Sequence, residues 1–415
     1  MKKVLSALAG ALLLAALVAP AAAQAAPKYN PDIWVSHYGT PSAGNGTSCR
    51  YPDFENIEDA ISHGGTHVGD VIHICPGTYY EWNLGSDHAT ITLEGEGPSK
   101  TIIDMEGDGR FISTYEEDCC DGWYNDIVLR GMTIENGSLN YHGAAVEARN
   151  LTCTNVDFTG NEADNHSGGA VIAWGSYVGN GCRYFNNYAD NDAGAVWVGY
   201  NFTSTNETYA NNRVSNDENS WGGAVYHDGL DQGSATIING KFTGFCCYYS
   251  AGYGGAIFNN DGNLSVTKSL FVGFSVDYRG GAIYTHADNE VRLTNNKFIS
   301  NYADGDGGAY FQWQSDATEF FVGNEFTSNY SDDDGGAIYT ASNDSLFRSN
   351  KFAWNDADDD GWTIAFENCG GEWNTIGGKV YGVGTTPSTG NNKYKGSTAV
   401  WPWDYDPNMV YWFGC

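Results

Sequence analysis

A short element, Gly-Gly-Ala followed by an aliphatic residue, returns along this chain at intervals of roughly 25 to 30 residues. It constrains the fold more than any other feature. Clear copies are Gly168-Gly169-Ala170-Val171, Gly222-Gly223-Ala224-Val225, Gly254-Gly255-Ala256-Ile257, Gly280-Gly281-Ala282-Ile283, Gly307-Gly308-Ala309-Tyr310 and Gly335-Gly336-Ala337-Ile338. Weaker copies are Gly143-Ala144-Ala145-Val146, Ala193-Gly194-Ala195-Val196 and Asp360-Gly361-Trp362-Thr363-Ile364. A second element alternates with the first: an aromatic residue, two others, then Asn. It reads Phe158-x-x-Asn161, Tyr184-x-x-Asn187, Tyr209-x-x-Asn212, Phe298-x-x-Asn301, Phe326-x-x-Asn329 and Phe352-x-x-Asn355. Phe242 and Phe271 keep the aromatic without the Asn.

A glycine pair lets the backbone turn with positive φ and without a Cβ clash. The residue after Ala is β-branched in nearly every copy, as a buried strand position prefers. Each such Val or Ile contributes about 1.5–3 kcal/mol when buried. The aromatic positions predict a second interior column. Asn tolerates the left-handed region at a bend, and Asn side chains in register can pair their amides along a stack. A helical solenoid conflicts with 54 glycines and with the lack of an amphipathic helical run in each unit. A propeller blade needs about 40 residues or more. An all-β solenoid remains, and repeat architecture explains how one long chain forms a single stacked unit.

These paired elements resemble the repeats of the polymorphic outer-membrane protein family over roughly residues 140–366. The resemblance implies a right-handed, single-stranded parallel β-helix of the pectin-lyase-like kind, and it implies a surface adhesin role. The regular alternating strands of a C-terminal membrane barrel are not found after residue 370. The N-terminal part fits the same superfamily. Phe54, Ile57, Ala60 and Ile61 share one face of a short capping helix, and Val71–Tyr79, Thr90–Gly95 and Thr101–Asp104 read as the first strands. A cap is needed because an open end exposes unpaired strand edges. The expected organisation is a signal peptide at 1–26, a cap and first rungs at 27–140, repeat rungs at 141–366 and a C-terminal cap at 367–415. On the order of eleven rungs are expected, in a rod roughly 50 Å long.

The signal peptide is read from Lys2-Lys3, the apolar stretch Val4–Val18 and the small-residue run from Ala21 to Ala26. No second long apolar run follows, so no helical membrane span is expected and the chain is expected to be secreted or at the cell surface. Ten cysteines in an exported chain suggest disulfides. Nearest-neighbour logic pairs Cys49 with Cys75 and Cys369 with Cys415. Cys153 and Cys182 lie about one rung apart and can meet, which leaves the adjacent pairs Cys119-Cys120 and Cys246-Cys247.

The net charge of −31 repels nucleic acid, anionic membranes and polyanionic sugars. Three sets of residues are candidates for function. The first is a pair of acidic turn columns: Asp164, Asp190, Asp304, Asp332 and Asp358, and two residues later Asp192, Asp306, Asp334 and Asp360. Carboxylates stacked one rung apart repel by roughly 1 kcal/mol in water and about 3 at an effective dielectric of 20, and Ca²⁺ would relieve this. A solvated acidic edge is the plainer reading. The second is an aromatic column two residues after each Ala, formed by Trp197, Tyr226, Phe258, Tyr284, Phe311 and Tyr339, with Trp174 and Trp313 nearby. Facing outward it would stack neutral sugar rings; facing inward it would be core. The third is catalysis. Arg279 and Arg292 are among the few basic residues of the middle rungs, but the Asn-Thr-Asp and Gly-His-Gly segments of β-helix polygalacturonases are missing, as are Gly-x-Ser-x-Gly and His-Glu-x-x-His. No catalytic residue is therefore assigned. The expected function is a β-helix scaffold that binds a neutral polysaccharide or a partner cell surface, with Ca²⁺ as an optional aid. The alternatives are a polysaccharide lyase or glycoside hydrolase on the same fold, or a structural envelope component.

Overall fold

The structure is a computed structural model. It describes residues 32–367 apart from 40, 42–45, 64–69, 86–89, 115–125, 216–219, 245–249, 288–289, 315, 343, 360 and 362, together with three later strands, Thr375–Gly377, Tyr381–Val383 and Val410–Trp412. The expected signal peptide, the adjacent cysteine pairs, Cys369, Cys415 and Asp360 lie outside the described residues.

The chain winds as a parallel β-solenoid. Three long parallel sheets hold 13, 12 and 12 strands, and sheets of four and five short strands fill a further side. One rung shows the plan. Leu151–Thr154 runs along the first sheet, Asn155 turns at φ 51°, and Asp157–Thr159 joins the second. Glu162–Ala163 enters a short sheet; the Gly168-Gly169 corner then leads into Val171–Ala173 of the third. Tyr177 begins the next rung directly above Leu151. Rungs advance by 25 residues between Asn187 and Asn212 and by 33 between Asn206 and Asn239. The longer one exceeds the expected range because a 3₁₀ turn, Leu230–Gln232, is inserted before the strand Ser234–Ile238.

The glycine pair has two separate tasks. The first glycine carries positive φ: 72° at Gly168, 69° at Gly280 and 71° at Gly307. The second yields to the neighbouring rung. A Cβ on Gly223, Gly281 or Gly308 would stand 2.2, 2.1 or 2.3 Å from the carbonyl oxygen of Gly255, Gly308 or Gly336. The aliphatic residues that follow, from Val146 through Ile364, point into the lumen and are buried. Phe158, Tyr184, Tyr209, Phe242, Phe271, Phe298, Phe326 and Phe352 form the expected interior file, with ring centroids 4.7–5.1 Å apart and planes within 9°.

The Asn ladders form as well. The side-chain amide of Asn161 donates to Asn187 at 3.0 Å and that of Asn187 to Asn212 at 2.9 Å, and the series Asn301, Asn329, Asn355 repeats the pattern at 2.9 Å. The same oxygens accept backbone N–H groups, so buried polar groups at the bend are satisfied. A second ladder, Asn296, Asn324 and Asn350, stands two residues before the Phe file.

At the N-terminal end the helix runs Ile57–Ser62. Asn56 caps it by accepting from Asp59 N, and the Glu81 carboxylate accepts from Ile57 N and Glu58 N. Phe54, expected on this helix, precedes it: it bridges to Val35 and packs half-buried on the core. Cys49–Cys75 and Cys153–Cys182 are both disulfide-bonded. Thr375–Gly377, Tyr381–Val383 and Val410–Trp412 each add one strand to the three long sheets within the stretch expected to be a cap.

The lumen also holds two glutamates. Glu207 is fully buried and accepts from Tyr177 Oη at 2.6 Å and Tyr209 Oη at 2.8 Å. Burial outweighs these bonds and pushes its carboxyl up to about 7. Glu319 is held by Tyr310, Thr340 and Ser345 and is also raised by burial.

Two predictions follow from the packing. Gly308→Ala should cost about 2–3 kcal/mol through the clash with the next rung, on top of any change in chain entropy. Gly273→Ala, at φ 70° with open space around it, should cost only about 1 kcal/mol of backbone strain. Equal losses in urea denaturation would refute the close-approach explanation. Glu207 has a folded pKa above its unfolded value, so the folded state holds the extra proton between about pH 4.5 and 7. Stability should therefore fall as pH rises through that window and level off above it, by on the order of 3 kcal/mol from this group. Thermal melts of Glu207→Gln should lose that component, so the variant should gain on the parent steadily from pH 4.5 to 7.

Candidate functional site

The strand after each Gly-Gly-Ala corner alternates in, out, in. Val196 and Val198 join the lumenal core, whereas Trp197 between them does not. The aromatic column Trp197, Tyr226, Phe258, Tyr284, Phe311, Tyr339 thus lies on the outer face and forms a cluster separate from the core. It is nonetheless largely covered. The rings stack on one another with centroids 4.9–6.0 Å apart and planes within 16°. Trp221 and Tyr253, from the adjoining turn, pack beside them. Outward placement and ring burial therefore coexist, because each face is occupied by the next ring. The rings from Tyr226 to Tyr339 are only 1–9% exposed, with hydroxyls at Tyr226, Tyr284 and Tyr339 on alternate rungs. More exposed aromatic rings lie at the margins. Trp313 is 47% exposed beside Phe311, and Trp174, half-buried, tilts against Trp197 at 5.1 Å.

Carboxylates flank the column. Asp192, Trp221, Tyr253, Arg279, Asp306 and Asp334 follow one another along one side. Asp306 is nearly buried, which raises its pKa, and pairs with Arg279 at 2.9 Å. The Arg279 guanidinium lies over Phe311 at 5.1 Å and over Trp313 at 5.2 Å. Asp228 and Asp261 raise the Tyr226 hydroxyl, after burial, as does Asp192. Arg292 is elsewhere, on the first long sheet, paired with Glu290 at 3.0 Å and lying over Phe320.

The other acidic column also stacks in register, with Asp164 beside Asp190 and Asp304, Asp332 and Asp358 in file. Asp190 accepts from Tyr188 Oη, Asp332 from Tyr302 Oη at 2.9 Å and Asp358 from Tyr330 Oη. Asp192 accepts from Ser167 Oγ at 3.1 Å, and burial, then the neighbouring Asp164, raises the pKa of Glu162. Charge repulsion along this file is thus offset by tyrosine hydroxyls, and in the other column Arg279 does the same at Asp306. Among the described residues no group of three or more His, Cys, Asp or Glu side chains converges as a metal site would.

The column changes character toward the N-terminus. Below Trp197 its positions are Ile172, Glu147, Ser113 and Gly85. Glu147 is fully buried and pairs with Arg110, whose guanidinium also donates to the carbonyls of Gly143 and His142. Trp174 Nε1 donates to the other Glu147 oxygen at 3.0 Å. His142 packs against His166, centroids 4.4 Å apart, and burial, then His166 and Arg110, lower its pKa to about 4. It is neutral at neutral pH, and its Nδ1 accepts from Ser167 N. This non-repeating cluster of acid, base and aromatic groups has no counterpart among the regular columns read from the sequence. Its signal was present: two residues after Ala145 stands Glu147, where the later copies carry an aromatic ring.

The fold and site define a parallel β-solenoid with an outward, closely stacked aromatic column edged by carboxylates. Comparison with known proteins agrees with the repeat. Residues 325–341 match the Chlamydia polymorphic membrane protein repeat. The chain is also similar to metabotropic glutamate receptor-like protein P of Dictyostelium discoideum, 28% identical over 290 residues, which covers 67% of this chain and 19% of that protein. The chain thus spans about a fifth of the relative it matches. No solved structure shows significant similarity. Among the described residues no helix is long and apolar enough to cross a membrane.

The Glu147 cluster yields a stability prediction. Glu147→Ala leaves Arg110 buried without its counter-ion and should cost about 3–5 kcal/mol, whereas the double variant Arg110→Met/Glu147→Met should recover most of the loss. Additive losses in chemical denaturation would show that the two residues act independently.

Proposed function

We propose that this chain is an exported, surface-associated β-solenoid scaffold that binds an extended, uncharged polysaccharide along the outward aromatic column. The observation that carries the reading is the regular period. Tyr226, Phe258, Tyr284, Phe311 and Tyr339 repeat once per rung at about 5 Å, so an extended polymer laid along this face meets the same surface at every rung, with Trp313, 47% exposed, as the accessible ring. Carboxylates beside the column suit sugar hydroxyls as acceptors, and Trp313, 47% exposed, offers ring surface at the margin. The charge of −31 selects against acidic polymers. Export is supported by the apolar N-terminal stretch, by two disulfides, and by similarity to a surface-protein repeat and to a receptor-like protein.

A glycan array combined with a reducing-end assay on the purified chain, with and without chelator, tests this reading. Binding to neutral extended glycans is expected, undiminished by chelator because the turn carboxylates have protein partners. Trp313→Ala should weaken binding roughly tenfold, the loss of one stacked ring at about 1.4 kcal/mol. New reducing or unsaturated ends would replace the scaffold reading with an enzyme.

A further inference from the structure

Trp313 stands at the margin of a covered column, and a cation holds it there. The column rings from Tyr226 to Tyr339 stack at 4.9–5.2 Å with planes within 16°. Trp313 lies further from Phe311, at 6.2 Å, and is tilted by 32°. The Arg279 guanidinium fills the angle between the two rings, 5.1 Å from the Phe311 centroid and 5.2 Å from the Trp313 centroid. Phe311 is 1% exposed and locked in the column, so Arg279 ties the exposed indole to a fixed ring. Arg279 is fixed in turn. Its Nε lies 2.9 Å from an oxygen of the buried Asp306 carboxylate. A planar guanidinium can turn an edge to a carboxylate and its plane to rings at once, which an ammonium cannot. The pairing also matches the charge. The Arg279 side chain is 35% exposed, so without Asp306 its positive charge would act on anything seated on the indole.

We infer that Arg279 is the positioning residue that holds Trp313 as a sugar platform, and that Asp306, by matching the Arg279 charge, makes this platform select uncharged sugars over uronates. The inference rests on the proposed glycan-binding function and adds which residues set its ring geometry and its selectivity. An indole held before the sugar arrives need not be ordered on binding, a step that otherwise lowers affinity. The overall acidity of the chain repels polyanions at a distance, whereas Asp306 acts at the contact itself.

The test uses the full chain, isotope-labelled at its tryptophans for NMR, with titration calorimetry alongside. The probes are neutral oligosaccharides that bind on the array, a neutral methyl hexopyranoside and the matching methyl uronide. Loss of one indole resonance in Trp313→Phe assigns Trp313. Arg279→Lys keeps a cation beside Asp306 and removes the planar contact. It should shift the Trp313 indole resonance with no sugar present and weaken neutral oligosaccharide binding about fivefold, with the melting temperature close to that of the parent. Asp306→Asn keeps the shape and leaves Arg279 unmatched. It should leave neutral binding near the parental value and raise the affinity for the uronide relative to the hexopyranoside about tenfold. An indole that does not move in Arg279→Lys, or one that moves without loss of affinity, would overturn the positioning role. An unchanged uronide preference in Asp306→Asn would overturn the selectivity role. Either result on a parent that binds neutral sugar sinks this inference alone, whereas a parent that binds none sinks the glycan reading and this inference together.

Discussion

Neighbouring rungs of this solenoid meet most closely at the Gly-Gly-Ala corner. There the backbone of one rung occupies the space a side chain would need on the other, with carbonyl oxygens 2.1–2.5 Å from the imagined Cβ of Gly169, Gly223, Gly255, Gly281 and Gly308. This contact pins each rung to the next at the same corner, so every other position is carried into register with its counterpart. The Phe file, the two Asn ladders and the outer ribbon are consequences. They are columns because the corner allows one stacking offset and no other.

The same translation that builds the core also builds the surface, and this concentrates like charges. A chain with 51 acidic and 20 basic residues cannot separate its carboxylates when turn positions repeat at one rung. The structure answers mainly with neutral donors. Tyr302 and Tyr330 each reach the aspartate of the following rung, and Tyr188 reaches the one two residues on. Arg279 pairs with Asp306 and also covers Phe311, tying the acidic edge to the aromatic ribbon. Inside the lumen, Glu207 and Glu319 are surrounded by hydroxyls that donate to them, yet burial still favours their protonated forms.

Departures from the repeat are where distinctive chemistry collects. Glu147 replaces a ring, Arg110 neutralises it, and Trp174 and His142 close around the pair. A buried ion pair of this kind is weak as a source of stability but specific as a landmark. It lies where the outer column is no longer aromatic.

Residue spacing alone was enough for the solenoid, the interior aromatic file, the first Asn ladder and the in-register turn aspartates, and it suggested Cys49–Cys75 and a meeting of Cys153 with Cys182, whose bonding the fold then fixed. The columns follow from residues at a fixed spacing, and stacking converts spacing directly into contact. The chain did not reveal the Asn296, Asn324, Asn350 ladder, because a single Asn before each Phe gives no pattern strong enough to separate it from an Asn-rich background. Nor could it place Phe54, which pairs with Val35 across the first turn instead of joining the helix. Only the tertiary structure decided that the Trp197–Tyr339 column faces outward while its rings cover one another, because strand parity after the corner depends on how the glycine turn is made. Only it could join Arg110 to Glu147 and Trp174, residues on successive rungs whose meeting depends on the exact length of the loops between them.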